Sequence, residues 1–336
     1  MTPKLKIKDS LYILKDSDDN YVFISTATRR VKKFQVDSLV REVINSLDSE
    51  CSESDLIERL SSRYNDCDVN LCLRALEREG IVRKYEEDLE EGRYHRQLLF
   101  LDELTDSRKE TLELQKRIEN SKVAVFGVGG IGTWIVNGLY QIGVGEIRIV
   151  DPDVVDESNL NRQLFFNSGD LGRYKVDVIK EKLKDANIIS FNNRVELNQN
   201  LEDIVFGCNF LVNCADSPSV TETTRIIDGY ASQQEIAYCV AGGYNLHLGM
   251  VGPIIIPGLT KTFDDFIEYQ KRMDPLQDLE KIRDIRENGN LGPIAGAIAN
   301  IQVVEIFKYL TGKGRINLNR FAEIDFMDLE IEWREF

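Results

Sequence analysis

From Lys122 onward the hydrophobic positions fall into short runs that alternate with stretches of helical spacing. The series reads "KVAVFG", "TWIVNGLYQIG", "EIRIVD", "KVDVIKEKLKDA", "SFNNRVEL", "CNFLVNCAD", "SVTETTRIIDGYASQQ" and "AYCVAGGY". Such alternation of strand and helix predicts a parallel sheet covered by helices on both faces. After Gly258 the pattern predicts a charged helical insertion over residues 259–292. A buried helix in "LGPIAGAIANIQVVEIFKYLTG" follows, and "RINLNRFAEIDFMDLEIEWREF" returns to strand.

The first 88 residues have a different rhythm. "KLKIKDSLYIL" and "YVFISTATRRVKKF" are short β-rich runs joined by the turn-forming "KDSDDN". In "QVDSLVREVINSL", Val36, Leu39, Val40, Val43, Ile44 and Leu47 share one side of a helix. "SESDLIERLSSRY" opens on a serine cap signal, and "DVNLCLRALEREGIV" predicts a third amphipathic helix closing at Gly80. The expected architecture is α/β, a Rossmann-like, mostly parallel sheet domain at 122–336 preceded by a small α+β, winged-helix-like unit at 1–88. Residues 89–121, a charged bridge and a long polar helix, link the two.

Composition narrows the partners. The 336-residue chain carries a formal net charge of −15, which argues against a nucleic-acid partner, and the third helix is not basic enough to favour DNA. No apolar run reads as a membrane span of ~20 residues. "MTPKLKIKDS" lacks the apolar core of a signal peptide, so a cytoplasmic location is expected. Six cysteines without a C-x-x-C pair read as free thiols rather than a disulfide framework. With only His95 and His247 beside them, no zinc site is expected.

The candidate chemistry begins at "FGVGGIGTW", where Gly127, Gly129, Gly130 and Gly132 lie between a strand and a helix. Glycine permits the tight turn and lets a phosphate approach backbone N–H groups at a positive helix end. Asp151 ends the next strand, where an acid accepts from ribose hydroxyls. On these features alone an NAD or FAD site stands open. The following "SNLNRQLFF" supplies Asn159, Asn161, Arg162 and Gln163, a fixed charge and several amides. Lys175 opens the next helix as a mobile point charge, and Asp216 follows the strand "FLVNCAD" at the rim where ligands of such sheets bind. One carboxylate there suits Mg²⁺, whose other positions go to water and phosphate. With Arg96 from "RYHRQ", these residues suit ATP and the stabilisation of departing pyrophosphate. Taken singly, Arg162 also reads as a surface ion pair, Lys175 as a solvated helix residue and Asp216 as a helix cap. Asn161 and Asp153 also read as loop-stabilising.

From about Arg93 to the C-terminus the chain resembles the ubiquitin-activating-type adenylating enzymes, the ThiF and MoeB superfamily. The matching elements are "RYHRQLLF", "GVGGIG", "VDPDVVDESNLNRQ", "GRYKV", "NCAD" and "LGPIAGAIANIQVVEIFKYLTG". The resemblance implies transfer of AMP from ATP to a carboxylate with release of pyrophosphate. It implies that the four glycines and Asp151 hold the nucleotide, Asp151 at the ribose. Asn159, Arg162, Gln163 and Lys175 would contact phosphates or support the site. Arg96, Arg162, Lys175 and Asp216 would be catalytic, with Asp216 on Mg²⁺. Arg96 would reach into a partner subunit's site, which implies a homodimer. Two departures stand out: the segment "IPGLTKTFDDFIEYQ" has no cysteine for a thioester relay, and the two C-x-x-C pairs of zinc-binding relatives are missing. Cys239, in "AYCVAGG", reads as a small core residue.

The N-terminal unit resembles the PqqD-like peptide-binding module of enzymes that modify ribosomally made peptides. The resemblance implies that a precursor peptide pairs with an edge near Ala27 to Phe34, its side chains entering a groove beside Val69 to Glu79. Arg29, Arg30, Val31, Lys32 and Lys33 are its candidate contacts; their charges equally suit protection of a sheet edge. A clamp fused to an adenylating domain without a relay cysteine resembles the enzymes that activate the microcin C precursor peptide and pantocin-type relatives. The function expected is ATP-dependent adenylation of a carboxylate on the precursor peptide, followed by intramolecular capture. The alternative is a non-catalytic leader-peptide-binding partner of a separate cyclodehydratase. A sulfur-transfer activator is disfavoured by the missing cysteine, and a dehydrogenase ranks last. The insertion is a candidate lid or dimer contact.

Overall fold

The fold is described from a computed structural model for residues 3–18, 20–86, 88–89, 91–196, 201–273 and 289–336. The chain divides into two compact units, residues 1–114 and 115–336. In the first, strands β1 (Lys4–Ile7), β2 (Leu11–Lys15), β3 (Tyr21–Ser25) and β4 (Val31–Phe34) precede helix α1 (Ser38–Ser46). Then come β5 (Cys51–Ser52), α2 (Glu53–Leu60), α3 (Asp66–Arg78), β6 (Val82–Tyr85) and α4 (His95–Asp102). Helix α5 (Arg108–Glu119) contains the division.

Local chemistry explains the helix starts of this unit. Asp37, Ser52 and Asn65 each accept a backbone N–H of the first turn, and Ser52 with Asp55 forms a reciprocal capping box. The periodic apolar faces meet in one core with Leu5, Phe23, Val43, Leu47, Leu56 and Leu73 among its buried members. Helix α3 ends as expected, followed by Gly80 at φ +69, a conformation that glycine adopts without strain. Sheet β2-β3-β4 leaves β4 as an edge, while β1 lies between β5 and β6. The charged bridge does contain a helix: α4 buries Leu98 and Leu101.

In the second unit the elements run β7 (Lys122–Phe126), α6 (Gly130–Ile142), β8 (Glu146–Val150), α7 (Lys175–Lys182), β9 (Ile188–Phe191), α8 (Glu202–Val205), β10 (Phe210–Asn213), α9 (Val220–Gln233) and β11 (Ala237–Val240). They continue with β12 (Tyr244–Asn245), β13 (Leu248–Val251), β14 (Ile254–Ile255), α10 (Phe263–Met273), α11 (Gly292–Thr311), β15 (Arg320–Asp325) and β16 (Glu330–Glu335). The main sheet has the order β14-β11-β10-β7-β8-β9. Strands β7 to β11 in it pair in parallel and β14 is antiparallel. A second, antiparallel sheet has the order β12-β13-β15-β16.

Successive residues of β7 serve opposite sides of the sheet: Val123 and Val125 enter one core cluster, Ala124 and Phe126 the other. This two-faced burial is why the strands read as continuous apolar runs. Helix α11 is long and apolar enough to cross a membrane by length and composition, contrary to the reading that no run is. It packs instead along α6 in the core, where a Cβ on Gly138 would stand 2.8 Å from Val303 and one on Gly296 3.2 Å from Trp134. "SFNNRVEL" is strand only through Phe191, and Asn192 to Glu196 leave the sheet. Of the insertion, α10 is helical as expected, and residues 274–288, nearly half of the candidate lid, lie outside the described residues.

Candidate nucleotide-binding site

At the C-terminal ends of β7, β8, β9 and β10 lies a cavity of about 440 Å³. Gly127, Gly129, Gly130, Asp151, Asn159, Arg162, Gln163, Lys175 and Asp216 all line it. Residues separated by 89 positions of sequence therefore share one wall, as a parallel sheet requires of the loops that follow its strands.

The glycine turn is shaped by close backbone approach. Gly127 has φ +84, and a Cβ there would meet the 214–215 peptide at 2.7–2.8 Å. Gly129 is the N-cap of α6 and has no side chain to compete for the first N–H groups of that helix. Gly132 does not line the cavity: a Cβ on it would stand 2.0 Å from the Gly127 carbonyl, so this glycine closes the turn.

Asp151 is buried, and its carboxylate accepts from the N–H groups of Val128 and Asp153, both at 2.8 Å. It therefore ties the glycine turn to the end of β8. Burial pushes its carboxyl above the ordinary value, with Lys175 and the two backbone donors opposing. Lys175 is not the mobile charge expected from the sequence. Its side chain is 7% exposed, 2.9 Å from Asp153 and 4.0 Å from Asp151. The first residue of α7 points into the sheet's rim, and two carboxylates hold it.

Asn159 is buried and closes a short 3₁₀ turn, accepting from the Asp156 N–H at 3.1 Å. Arg162 is half-buried; it donates to the Ser158 carbonyl and to Asn161 Oδ1, and its own carbonyl accepts from Trp134 Nε1. The amide of Asn161 thus serves the loop. Gln163 is buried and lines the cavity, and its Oε1 has no hydrogen-bond partner among the described residues. Asp216 is exposed on the loop beyond β10, and Ser219, not Asp216, caps α9. Cys214 and Cys239 have thiols pushed far up by burial, as suits core residues.

Arg96 is expected in a partner subunit's cavity, and its place in the single chain does not bear on that role. It is exposed on α4 within the first unit, beside Lys8, Arg83 and Arg108. The candidate peptide contacts are also redistributed. Lys32 donates to the Glu79 carboxylate and carbonyl at 2.8 and 2.9 Å, and Lys33 pairs with Asp16 at 2.5 Å. Arg29 and Arg30 are exposed at the β3–β4 turn, with Arg29 at φ +56, and Val31 is exposed on the edge strand. Sequence reasoning missed Asn193, Arg194, Ser217, Tyr244 and Asn290 in the cavity lining. The "NNR" triplet after a short strand was the available signal for the first two.

Residues 94–336 match the model of the ThiF family, and the chain belongs to that family. It is 30% identical over 229 residues to the sulfur carrier protein ThiS adenylyltransferase of Escherichia coli K12, covering 66% of this chain and 81% of that protein. It is 29% identical over 242 residues to the adenylyltransferase and sulfurtransferase UBA4 of Saccharomyces cerevisiae, covering 70% of this chain. The chain spans about half the length of UBA4. In fold it matches E. coli MccB solved with ATP over 99% of this chain and 96% of that one, at TM-score 0.73 and 18% identity. It matches PaaA over 98% and 99%, at TM-score 0.74 and 22% identity.

Proposed function

We propose that this protein is an ATP-dependent adenylyltransferase that activates a carboxylate of a ribosomally made peptide. The observation that carries the reading is the convergence of the glycine turn, Asp151, Arg162, the unpaired Gln163 acceptor and Asp216 on one cavity. The family supports adenylation. Peptide as substrate is supported by the fold shared along nearly its whole length with the microcin C7 biosynthetic enzyme MccB, which has been solved with N-formylated MccA. Adenylation of one peptide by a protein with no relay cysteine in "IPGLTKTFDDFIEYQ" also fits this chain better than sulfur transfer.

In this reading the N–H groups that open α6 receive phosphate oxygens, and Asp151 accepts from the ribose. Arg162 sits where charge gathers on the α-phosphate. A peptide carboxylate oxygen attacks the α-phosphorus, the bond to the β-phosphate oxygen breaks, and pyrophosphate leaves. A nitrogen of the same peptide then attacks the acyl carbon and AMP departs. Holding the peptide makes that capture intramolecular.

Among the described residues no three His, Cys, Asp or Glu side chains gather as a metal cage. Three cations in the lining, Arg162, Lys175 and Arg194, face three carboxylates, Asp151, Asp153 and Asp216. A near-neutral wall does not balance a triphosphate, and the exposed Asp216 fits one protein ligand to Mg²⁺ whose other positions are phosphate and water. Such an ion would offset phosphate charge.

The first unit is the proposed peptide clamp, with β4, one of the two edge strands of its sheet, as the proposed docking edge. The test is exchange of labelled pyrophosphate into ATP with the cognate peptide and Mg²⁺. Exchange is expected from the wild type and lost in Asp216→Ala, with peptide binding retained. Peptide binding without any exchange in the wild type would favour the non-catalytic partner of a cyclodehydratase.

A further inference from the structure

Strand register locates the part of the cavity that neither the glycine turn nor the ribose acid occupies. Phe126 pairs with Val150 on one side of β8, and Val150 pairs with Phe191 on the other. The Asp151 N–H donates to the Phe191 carbonyl at 3.1 Å. Across the rim the order is therefore the turn after β7, the acid after β8, then residues 192–195 after β9. A nucleotide with phosphates on the turn and sugar on the acid must lay its base over that third loop.

The loop is built asymmetrically. Val195 is buried and joins the core beneath the sheet, giving an apolar floor. Arg194 is half-exposed, and its Nε lies 3.7 Å from Glu196. Its Nη1 donates at 3.3 Å to Oγ of Ser217, which belongs to the loop after β10. Strand β10 lies two strands beyond β8 in the sheet order. The side chain thus reaches from the base end of the cavity towards the rim that carries Asp216, and both of its ends line the cavity.

Resting on the nucleotide reading above, we infer that Arg194 covers the base, its planar guanidinium stacked on the purine with Ser217 fixing its far end. A guanidinium is planar, delocalised and weakly hydrated, so it stacks on aromatic rings where an ammonium does not. The triphosphate is held elsewhere, so the contribution of Arg194 should depend on the presence of a base.

The experiment compares ATP with inorganic tripolyphosphate, both with Mg²⁺, by titration calorimetry on the full chain. Arg194→Lys is expected to weaken ATP about tenfold and leave tripolyphosphate unchanged, and Arg194→Ala to weaken ATP at least about tenfold and tripolyphosphate much less. Lysine keeps the charge but not the plane, so recovery of affinity in Arg194→Lys overturns stacking in favour of a charge contact. An equal loss for both ligands, or no loss for either, overturns the inference as well. Wild-type protein that binds tripolyphosphate but not ATP overturns the nucleotide reading itself. ATP binding that is intact in Arg194→Ala removes only the role of Arg194.

Discussion

The ammonium of Lys175 stands 2.9 Å from the Asp153 carboxylate and 4.0 Å from that of Asp151, bridging an acid 57% exposed and an acid 6% exposed. The bridge compensates a buried carboxylate and leaves little free charge for a ligand. Removing the cation should leave Asp151 unpaired. Lys175→Met is expected to cost about 3 kcal/mol of stability, read from urea unfolding. Asp153→Asn should do the opposite at the cavity, releasing Lys175 and tightening metal-free ATP several-fold. Weaker ATP binding in Asp153→Asn would instead assign Asp153 a direct nucleotide contact.

Asp151 makes nucleotide binding and stability respond to acid in opposite directions. Burial holds its folded carboxyl above the ordinary value of 3.8. As pH falls through the raised value, the folded protein takes up a proton before the unfolded chain does. The contribution to stability is complete below 3.8 and is lost as pH rises through the raised value. Protonation, however, would remove the acceptor proposed for the ribose. ATP affinity should fall on acidification before the pH reaches the ordinary carboxyl value, and in Asp151→Asn it should be weak and flat over the same titration. Calorimetric titrations between about pH 7 and pH 4.5 would show whether the two curves differ.

Two glycines of one motif should fail in different ways. A methyl on Gly129 meets only Gln163 Nε2, at 3.9 Å, so space admits it, while ψ −143 at φ −82 lies outside the regions alanine favours. Gly129→Ala should therefore lose less stability than Gly132→Ala and bind ATP at least about tenfold more weakly, because the methyl would stand where the proposed phosphate site opens. Gly132→Ala drives a methyl into a backbone carbonyl and should lose more than about 2 kcal/mol of stability. Thermal unfolding beside ATP titration separates the two; the reverse ranking would dismiss the division of labour.

The edge strand offers a test of the clamp. The Ser25 N–H donates to the Arg30 carbonyl, so alternation along the β3–β4 ladder turns the N–H and C=O of Val31 and Lys33 outward. Lys33→Pro removes an outward donor and leaves the inward ladder intact, a position where an edge tolerates proline. Peptide affinity should drop at least about tenfold with an unchanged circular dichroism spectrum. Unaltered affinity would move the peptide off this edge.

What could be read along the chain was what depends on neighbours in sequence. Apolar runs, cap residues and Gly80 specified the strands and helices because hydrogen-bond ladders and caps are satisfied within a few residues. That the glycine turn, Asp151, Arg162 and Gln163 stand at the ends of strands or helices was legible for the same reason, and that they line one cavity is a finding of the structure. The burial of Lys175 beneath Asp153, 22 positions away, was not legible, because the cost of burying a charge depends on which distant partner meets it. Nor was the span from Arg194 to Ser217, which exists only because β9 and β10 enter one sheet. Helix α11 shows the division most plainly. Its composition alone suits a membrane or a core equally, and only the close approach to α6, permitted by Gly138 and Gly296, decides for the core.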